Sequence, residues 1–459
     1  MRTPTLFVLT LTLLSAVDLA GQGRGRRGRR APPSPPPAQA EAEKPEEKAK
    51  EPKRYLAIVG GDVYVGTGQR LTGATVLVAD DKIEAVGHGV TVPDGAEVLD
   101  AKGRCVSPGF VAVAGAGMGA ERRGPFADSV NPFAPDIKQG LAAGITAFLV
   151  GSTTGRGKPE GENAIIKLAY GDVEGMVLRE NPVVGVSVPL SAADRESLKE
   201  TVEQAKAYLK AVAEYPAKKA ADAKTPEPKE PRGAEAVVRV LKGEATMWIG
   251  LGGGGFNPFG RSRGGRGGGG GSDVDDIRQA LEIAELLGKG VVLDKPISAW
   301  LVADEIATTG SMVVLSPRTR TPADPKDPDR TGSNLASAAI LARAGVPVAV
   351  TCPSGMFGGA GVGTGGILGQ DLNTPTVDAA YAVRGGLDNR KALRTLTLDA
   401  ARMLGVGDRI GSIEPGKDAD ILILDGEPLH YTTFVTVAVV NGKVVYQKGE
   451  EALYRHIER

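Results

Sequence analysis

Few side chains in this chain could carry metal or nucleophilic chemistry. Its 459 residues hold three histidines, His88, His430 and His456, and two cysteines, Cys105 and Cys352. A protein-bound zinc takes three or four converging nitrogen, sulfur or oxygen ligands, most often from His and Cys. These histidines are widely separated and fall in a turn, a loop and a tail, so each is expected to be exposed or locally hydrogen-bonded. The count argues against a multi-histidine metal centre. The cysteines raise the question of a disulfide, which depends on where the strands put them.

The elements that must position any site begin only after residue 54. Residues 1–21 read as an export signal, with Arg2 as the charged start, an apolar stretch Leu6 to Val17, and small residues around Ala20-Gly21. That stretch is shorter than the roughly 20 residues a membrane helix needs. An uncleaved anchor is the alternative, because Asp18 and the arginines at 24, 26, 27, 29 and 30 run against the usual charge asymmetry. Residues 22–54 are rich in Arg, Pro, Glu and Lys and predict a disordered linker. The chain is expected to be exported, periplasmic or extracellular, with no membrane span after signal cleavage. The 55 basic residues balance the 55 acidic ones, which removes the global argument for nucleic acid as partner, and 41% hydrophobic residues exclude a wholly disordered protein.

From Tyr55 the pattern is one of short strands, YLAIVGGDVYVG, GATVLVADDKIEAVG and AEVLDAKGRCV, with Gly60-Gly61 and Asp80-Asp81 as turns. These predict a small antiparallel sheet over 55–107. Between 108 and 404 the rhythm becomes amphipathic helix, glycine, then a short apolar strand. Examples are APDIKQGLAAG before ITAFLV, DVDDIRQALEIAELLGKG before VVLD, WLVADEIATTG before SMVVLS, and NLASAAILARAG before VPVAVT. Strands apolar throughout must be covered on both faces, which points to a parallel sheet wrapped by helices. The length suits a closed eight-unit barrel of about 250 residues with inserts, and an open doubly wound sheet is the alternative. The inserts are 213–233, 250–272 and 317–331, read as charged, low-complexity and mobile segments. The Arg/Gly run in the second reads as a surface loop rather than an RNA-binding segment. Residues 405–450 return to strands, with Asn441-Gly442 as a hairpin turn, and 451–459 is a tail. The fold class is therefore α/β, a TIM-like (β/α)8 barrel inserted in a composite β-sandwich built from both chain ends.

GTGQRLTGATVLVADDKIEAVG, the turn CVSPGF, and RIGSIEPGKDADILILDGEPL followed by VAVVNGKVVY resemble the flanking sandwich of the amidohydrolase superfamily. GITAFLVGSTTG, GENAIIKLAYGDVEGMVLRENP and LDNRKALRTLTLDAARMLGV are similar to its imidazolonepropionase and X-Pro dipeptidase branch. The resemblance covers roughly residues 55–450 outside the inserts. It implies a hydrolase of C–N bonds built around zinc or another divalent metal. The first barrel strand would carry the motif P-G-F-(I/V)-D-x-H-x-H, further histidines would come from strands five and six, and an aspartate on strand eight would take a proton from the metal-bound water.

Against that pattern the chain reads Pro108-Gly109-Phe110-Val111-Ala112-Val113-Ala114-Gly115-Ala116, which puts Ala114 and Ala116 at the two ligand positions. TMWIGLGGGG offers no fifth-strand histidine, Lys295 follows Asp294 where a sixth-strand histidine is expected, and Cys352 falls at or near the eighth-strand aspartate. Asp294, Lys295 and Cys352 are thus the candidate barrel-mouth residues, with Asp294-Lys295 read as an ion pair filling vacated metal space. No metal cofactor is expected. Lys167 in AIIKLAY is read as a strand-end surface lysine in preference to a remnant functional one. Strands one and eight are neighbours in such a barrel, but Cys105 enters at its bottom and Cys352 leaves at its top, which predicts two free thiols. The expected function is a catalytically inactive binding or partner subunit, as a homo-oligomer or beside an active relative. The alternative is a hydrolase acting on C–N bonds through a rearranged site.

Overall fold

The computed structural model describes residues 53–121, 125–153, 155, 157–251, 273–352, 362–363, 374–452 and 454–457. The expected export signal, nearly all of the linker and most of the glycine-rich insert lie outside them. Five strands open the fold: β1 (Tyr55–Tyr64), β2 (Arg70–Ala79), β3 (Lys82–Gly87), β4 (Glu97–Asp100) and β5 (Cys105–Pro108). Asp80-Asp81 turns β2 into β3 as expected, with Asp80 in the left-handed region at φ 57°. Gly60-Gly61 does not form a turn. It lies inside β1, where the pairing with β2 skips register between Ile58 and Gly61, so the two glycines form a bulge that bends a long strand. The module is also mixed rather than antiparallel, because β1 pairs parallel with both β4 and β5.

Next come β6 (Phe110–Ala112), β7 (Gly115–Ala116), α1 (Pro135–Ala142), β8 (Ile145–Ser152), β9 (Glu162–Lys167), β10 (Val177–Glu180) and β11 (Val183–Val188). They are followed by α2 (Ala192–Ala221), α3 (Glu235–Lys242), β12 (Thr246–Leu251), α4 (Val274–Leu287), β13 (Val292–Asp294), α5 (Ala303–Thr308) and β14 (Met312–Leu315). Then come α6 (Ser337–Arg343), β15 (Val348–Val350), β16 (Val362–Gly363), α7 (Thr374–Arg384), α8 (Asn389–Arg394) and α9 (Leu398–Met403). All four helix–strand units read from the sequence are present. In α4 the residues Ile277, Ala280, Leu281, Ala284 and Leu287 are buried, and Gly288 caps the helix at φ 70°, where a side chain would be strained.

Strands β11 to β15 form a parallel five-stranded sheet, and β6 pairs parallel with β8. Together they account for seven barrel strands with the expected direction. The eighth, β9, runs antiparallel to β8, with Ser152 opposite Glu162 and Ala147 opposite Lys167. It therefore departs from a uniform (β/α)8 pattern. Inward-facing residues from all eight strands nonetheless meet in one apolar cluster: Val111, Ala147, Ile165, Val183, Trp248, Val292, Val314 and Ala349. Ala400, Ala401, Met403 and Leu404, in and just after α9, join that cluster and close the N-terminal end of the barrel.

Two seams in the ring lack a continuous backbone ladder. Between β15 and β6 the segment at 395–396 intervenes, with Val350 N–H bonding to Thr395 O at 3.3 Å and Val111 N–H to Leu396 O at 2.7 Å. Between β9 and β11 the buried Asn163 side chain, together with backbone bonds from Gly155 and Glu160 to Gly185 and Ser187, substitutes for a strand ladder. Its amide donates to Ser152 O and Val183 O at 2.8 and 2.9 Å, and its oxygen accepts from Val183 N–H at 3.1 Å.

The inserts differ from their reading in two places. Helix α2 continues past residue 213 through Pro216 to Ala221. The 317–331 loop, expected to be mobile, is fastened by Arg318, which donates two 3.2 Å bonds to the fully buried Asp378, and by Asp324 N–H to Thr331 Oγ1 at 2.7 Å.

The chain ends with β17 (Ile421–Leu424), β18 (Val435–Val440) and β19 (Lys443–Gln447). Strand β17 pairs with β5, so both chain ends build one continuous sheet in the order β19-β18-β17-β5-β1-β2-β3, with β4 beside β1. Val437 and Val439 of β18 share a core with Val76 and Val78 of β2, four strands away, so the sheet curls upon itself rather than stacking as two separate sheets. Its other face, through Ala438, Val440 and Tyr446, packs into the large core that contains α1. No helix among the described residues is long and apolar enough to cross a membrane.

Candidate functional site

The residues that end the barrel strands enclose a cavity of about 290 Å³ at the C-terminal mouth, where sites of this architecture sit. The cavity is reached by Ala114 and Ala116 after β6, Ser152 and Thr153 at β8, Trp248 of β12, Asp294 and Lys295 at β13, and Thr351 after β15. The first-strand turn is built as its sequence demands. A Cβ at Gly109 would lie 1.9 Å from Thr146 Oγ1, so only glycine allows β6 to approach β8 there.

Strand alternation decides which side chains reach this space. On β13, Val292 and Asp294 share the inward face, and Leu293 points to the outer core. On β15, Ala349 faces in, Val350 faces out, and Thr351 lines the mouth. Cys352 therefore does not belong to the mouth. It is 2% exposed and lies beside Phe110, Val362 and Pro375 in a separate apolar pocket. The sequence placed the mouth residue one position too late: Thr351 holds the inward place, and counting by twos from Ala349 would have found it. Ser152, Thr153 and Trp248 were also missed. The polar GST that ends the apolar run ITAFLV was the available signal for the first two.

Asp294 and Lys295 are brought together as expected, with Nζ 2.8 Å from Oδ2. Their side chains are 17% and 32% exposed. Lys295 has φ 56°, a left-handed conformation uncommon for a residue with a Cβ. The surrounding bonds impose it: Lys295 N–H donates to Val314 O at 2.9 Å, and Ile297 and Ser298 N–H both donate at 2.7 Å to the carboxylate of Asp273 at the start of α4.

Lys167 corrects the sequence reading. It is 1% exposed, not a surface lysine, and it lies at the opposite end of the barrel. Its ammonium is 3.0 Å from Asp418 Oδ2 and 2.9 Å from Asp420 Oδ2, and it also donates to Asn441 Oδ1. Asp418 further accepts from Arg409 at 2.8 and 3.1 Å and from Lys82. Burial alone would raise the Asp418 pKa, but the Arg409 hydrogen bond and the Lys167 and Lys82 charges outweigh it and hold the carboxyl down to about 2. At Asp420 burial wins and the carboxyl is raised, against the opposing pull of Lys167 and the Asn441 N–H. This network joins β9 of the barrel to the segments that flank the C-terminal strands.

The three histidines are exposed, and none is among the described residues that line the mouth. His430 stacks on Tyr431 with centroids 5.5 Å apart and contacts Thr432 Oγ1 at 2.9 Å. Neither cysteine is in a disulfide and both are buried, and burial, followed by the nearby Glu427 charge, pushes the Cys105 thiol up to about 11.

The fold is thus an α/β architecture containing a TIM barrel, with a composite sheet from both chain ends. The amidohydrolase family profile matches residues 269–451. Over that stretch the chain is similar to the amidohydrolase superfamily. It is 33% identical over 99 residues to the 5-methylthioadenosine/S-adenosylhomocysteine deaminase of Symbiobacterium thermophilum, a match covering 18% of this chain and 21% of the relative. It is 32% identical over 93 residues to the imidazolonepropionase of Porphyromonas gingivalis, covering 17% and 22%. The matched stretches therefore span about a fifth of the length of these curated relatives. An amidohydrolase structure from Thermotoga maritima MSB8 superposes with a TM-score of 0.61 at 24% identity over 85% of this chain and all of that one, which supports the fold.

The donor set at the mouth does not fit the metal that the superfamily implies. Among the described residues that line it, alanine contributes no ligand atom at 114 or 116, the one carboxylate is already paired with an ammonium ion, and the other polar side chains near the strand ends are hydroxyls. Three or four converging His, Cys or carboxylate ligands are the usual requirement. Among the described residues no group of three or more His, Cys, Asp or Glu side chains is placed to hold a metal ion.

Proposed function

We propose that this protein is a metal-free member of its superfamily, exported and without hydrolytic activity. Its barrel mouth binds a small molecule, and it works as a partner subunit beside a second copy or an active relative. The observation that carries this reading is the chemistry of the mouth. Ala114 and Ala116 line the cavity where the family pattern requires ligands, and the Lys295 ammonium ion occupies the remaining acidic group. A fixed cation there opposes a divalent ion electrostatically and cannot ligate it while protonated. The cavity is nonetheless retained, with apolar walls and a few convergent polar groups, which is the composition of a small-molecule site.

The test is elemental analysis of the purified full-length protein, paired with hydrolysis assays on cyclic amides, imides and dipeptides. Substoichiometric zinc, manganese and iron, with no turnover before or after metal addition, is the expected result. Stoichiometric zinc whose removal by a chelator abolishes turnover would overturn the reading in favour of a rearranged hydrolase.

A further inference from the structure

We propose that Lys295 is a carbonyl-capturing amine, and that the mouth holds a small aldehyde or ketone as a reversible imine on its side chain. The proposal rests on the metal-free reading of the same cavity. Three independent observations support it. The lysine ends the sixth strand of the barrel and lines a space of about 290 Å³ whose walls, through Val113, Leu149, Trp248 and Val314, can seat a compact organic molecule. A carboxylate stands 2.8 Å from its nitrogen, within reach of the protons that imine formation must move. The backbone at Lys295 is held in a left-handed conformation by bonds to Val314 and, two and three residues on, to Asp273. Such conformations persist only where the surroundings over-determine them, and they cluster at functional sites. A lysine needed only for a surface ion pair would not require this backbone.

The chemistry balances with groups already present. Asp294 takes a proton from the Lys295 ammonium, and the freed nitrogen lone pair attacks the carbonyl carbon. A C–N bond forms as the carbonyl π pair moves onto oxygen, and that oxygen takes the proton from Asp294 to give a carbinolamine. Asp294 then removes a second proton from nitrogen and passes it to the hydroxyl. The C–O bond breaks, water leaves, and the nitrogen lone pair completes the iminium. One ammonium and one carbonyl compound become one iminium and one water, with no oxidant or reductant.

The experiment exposes the full-length protein to benzaldehyde and, separately, to butan-2-one at neutral pH with cyanoborohydride, and maps reduced adducts by peptide mass spectrometry. Lys295 is expected to be modified at least about tenfold faster than the exposed Lys199 and Lys210, and the Asp294→Asn variant about tenfold slower than the parent, the modest end of what proton transfer contributes. Lys295→Arg, which keeps the charge, should remove the fast adduct and leave the slow surface ones. Modification of Lys295 no faster than Lys199 with both probes overturns the proposal, and an unchanged rate in Asp294→Asn overturns the part given to the carboxylate. Metal content is measured on the same preparation. Stoichiometric zinc overturns the metal-free reading and this proposal with it, whereas metal-free protein with a slow Lys295 overturns this proposal alone.

Discussion

At the closed end of the barrel, the Lys167 ammonium lies within 3.0 Å of the carboxylates of both Asp418 and Asp420, all three side chains are at most 3% exposed, and Arg409 and Lys82 complete the network. At the mouth, Asp294 and Lys295 share one 2.8 Å contact beside a solvent-reaching cavity. The first set cannot lose a member without stranding a charge in a dry interior, where the penalty is several kcal/mol. The second can lose either partner to water at little cost. Charge at the closed end therefore holds the barrel to the composite sheet, and charge at the mouth is free to be used.

The largest expected effect breaks the closed end. Lys167→Met should destabilise the protein by about 3–5 kcal/mol, because Asp418 and Asp420 would lose their buried cation. Urea unfolding would measure it, and a loss below about 1 kcal/mol would show that the network is not structural.

Acid should act on the same network. The Asp418 carboxyl is held down to about 2 in the folded chain, so its stabilisation is present above the ordinary carboxylate range and is lost as pH falls. Between roughly pH 4 and pH 2 it should cost about 2 kcal/mol. Asp420, raised in the fold, works in the opposite direction, because its protonation on acidification favours the folded state and offsets part of the loss. Stability against pH for the parent and for Asp418→Asn tests this: the variant should be less stable at neutral pH and should lose the acid-dependent component.

The mouth should respond weakly. Lys295→Gly gives up a partly buried ion pair beside the open cavity and relieves a left-handed backbone, two effects of about 1 kcal/mol and opposite sign, so unfolding should shift by less than about 1 kcal/mol. A large loss would place Lys295 with the structural charges. The smallest effect is expected at the cysteines. Neither thiol should react with a thiol reagent in the native protein, two should titrate after denaturation, and Cys352→Ala should leave carbonyl labelling of Lys295 unchanged because its side chain faces away from the mouth.

The reach of the sequence follows the same division. Helical periodicity with terminal glycines located α1, α4, α5 and α6 and the strands after them, since these patterns are local. The pairing of Asp294 with Lys295 was legible because the two are adjacent, and Ala114 and Ala116 because the PGF turn fixes the count from Gly109. The direction of β9 was not, because an apolar run such as NAIIK looks the same in either orientation. The parity of VAVTC was hidden because Ala and Val suit both faces of a strand. Lys167 was misread because its partners lie more than 250 residues away, at Asp418 and Asp420, and a lysine reads as exposed until such partners are known.

Asn163 gives the barrel one property that no neighbouring strand has. Where β9 meets β11, one side-chain amide, helped by backbone bonds from Gly155 and Glu160 ahead of β9 to Gly185 and Ser187, carries connections that elsewhere are spread over a ladder of peptide groups. A ring joined in this way is a strip with a clasp: its two sheets can each stay intact while the cylinder between them opens. Shortening that one side chain would test whether the barrel comes apart as halves or melts as a whole, and hydrogen exchange along Val183–Val188 is where the difference would first appear.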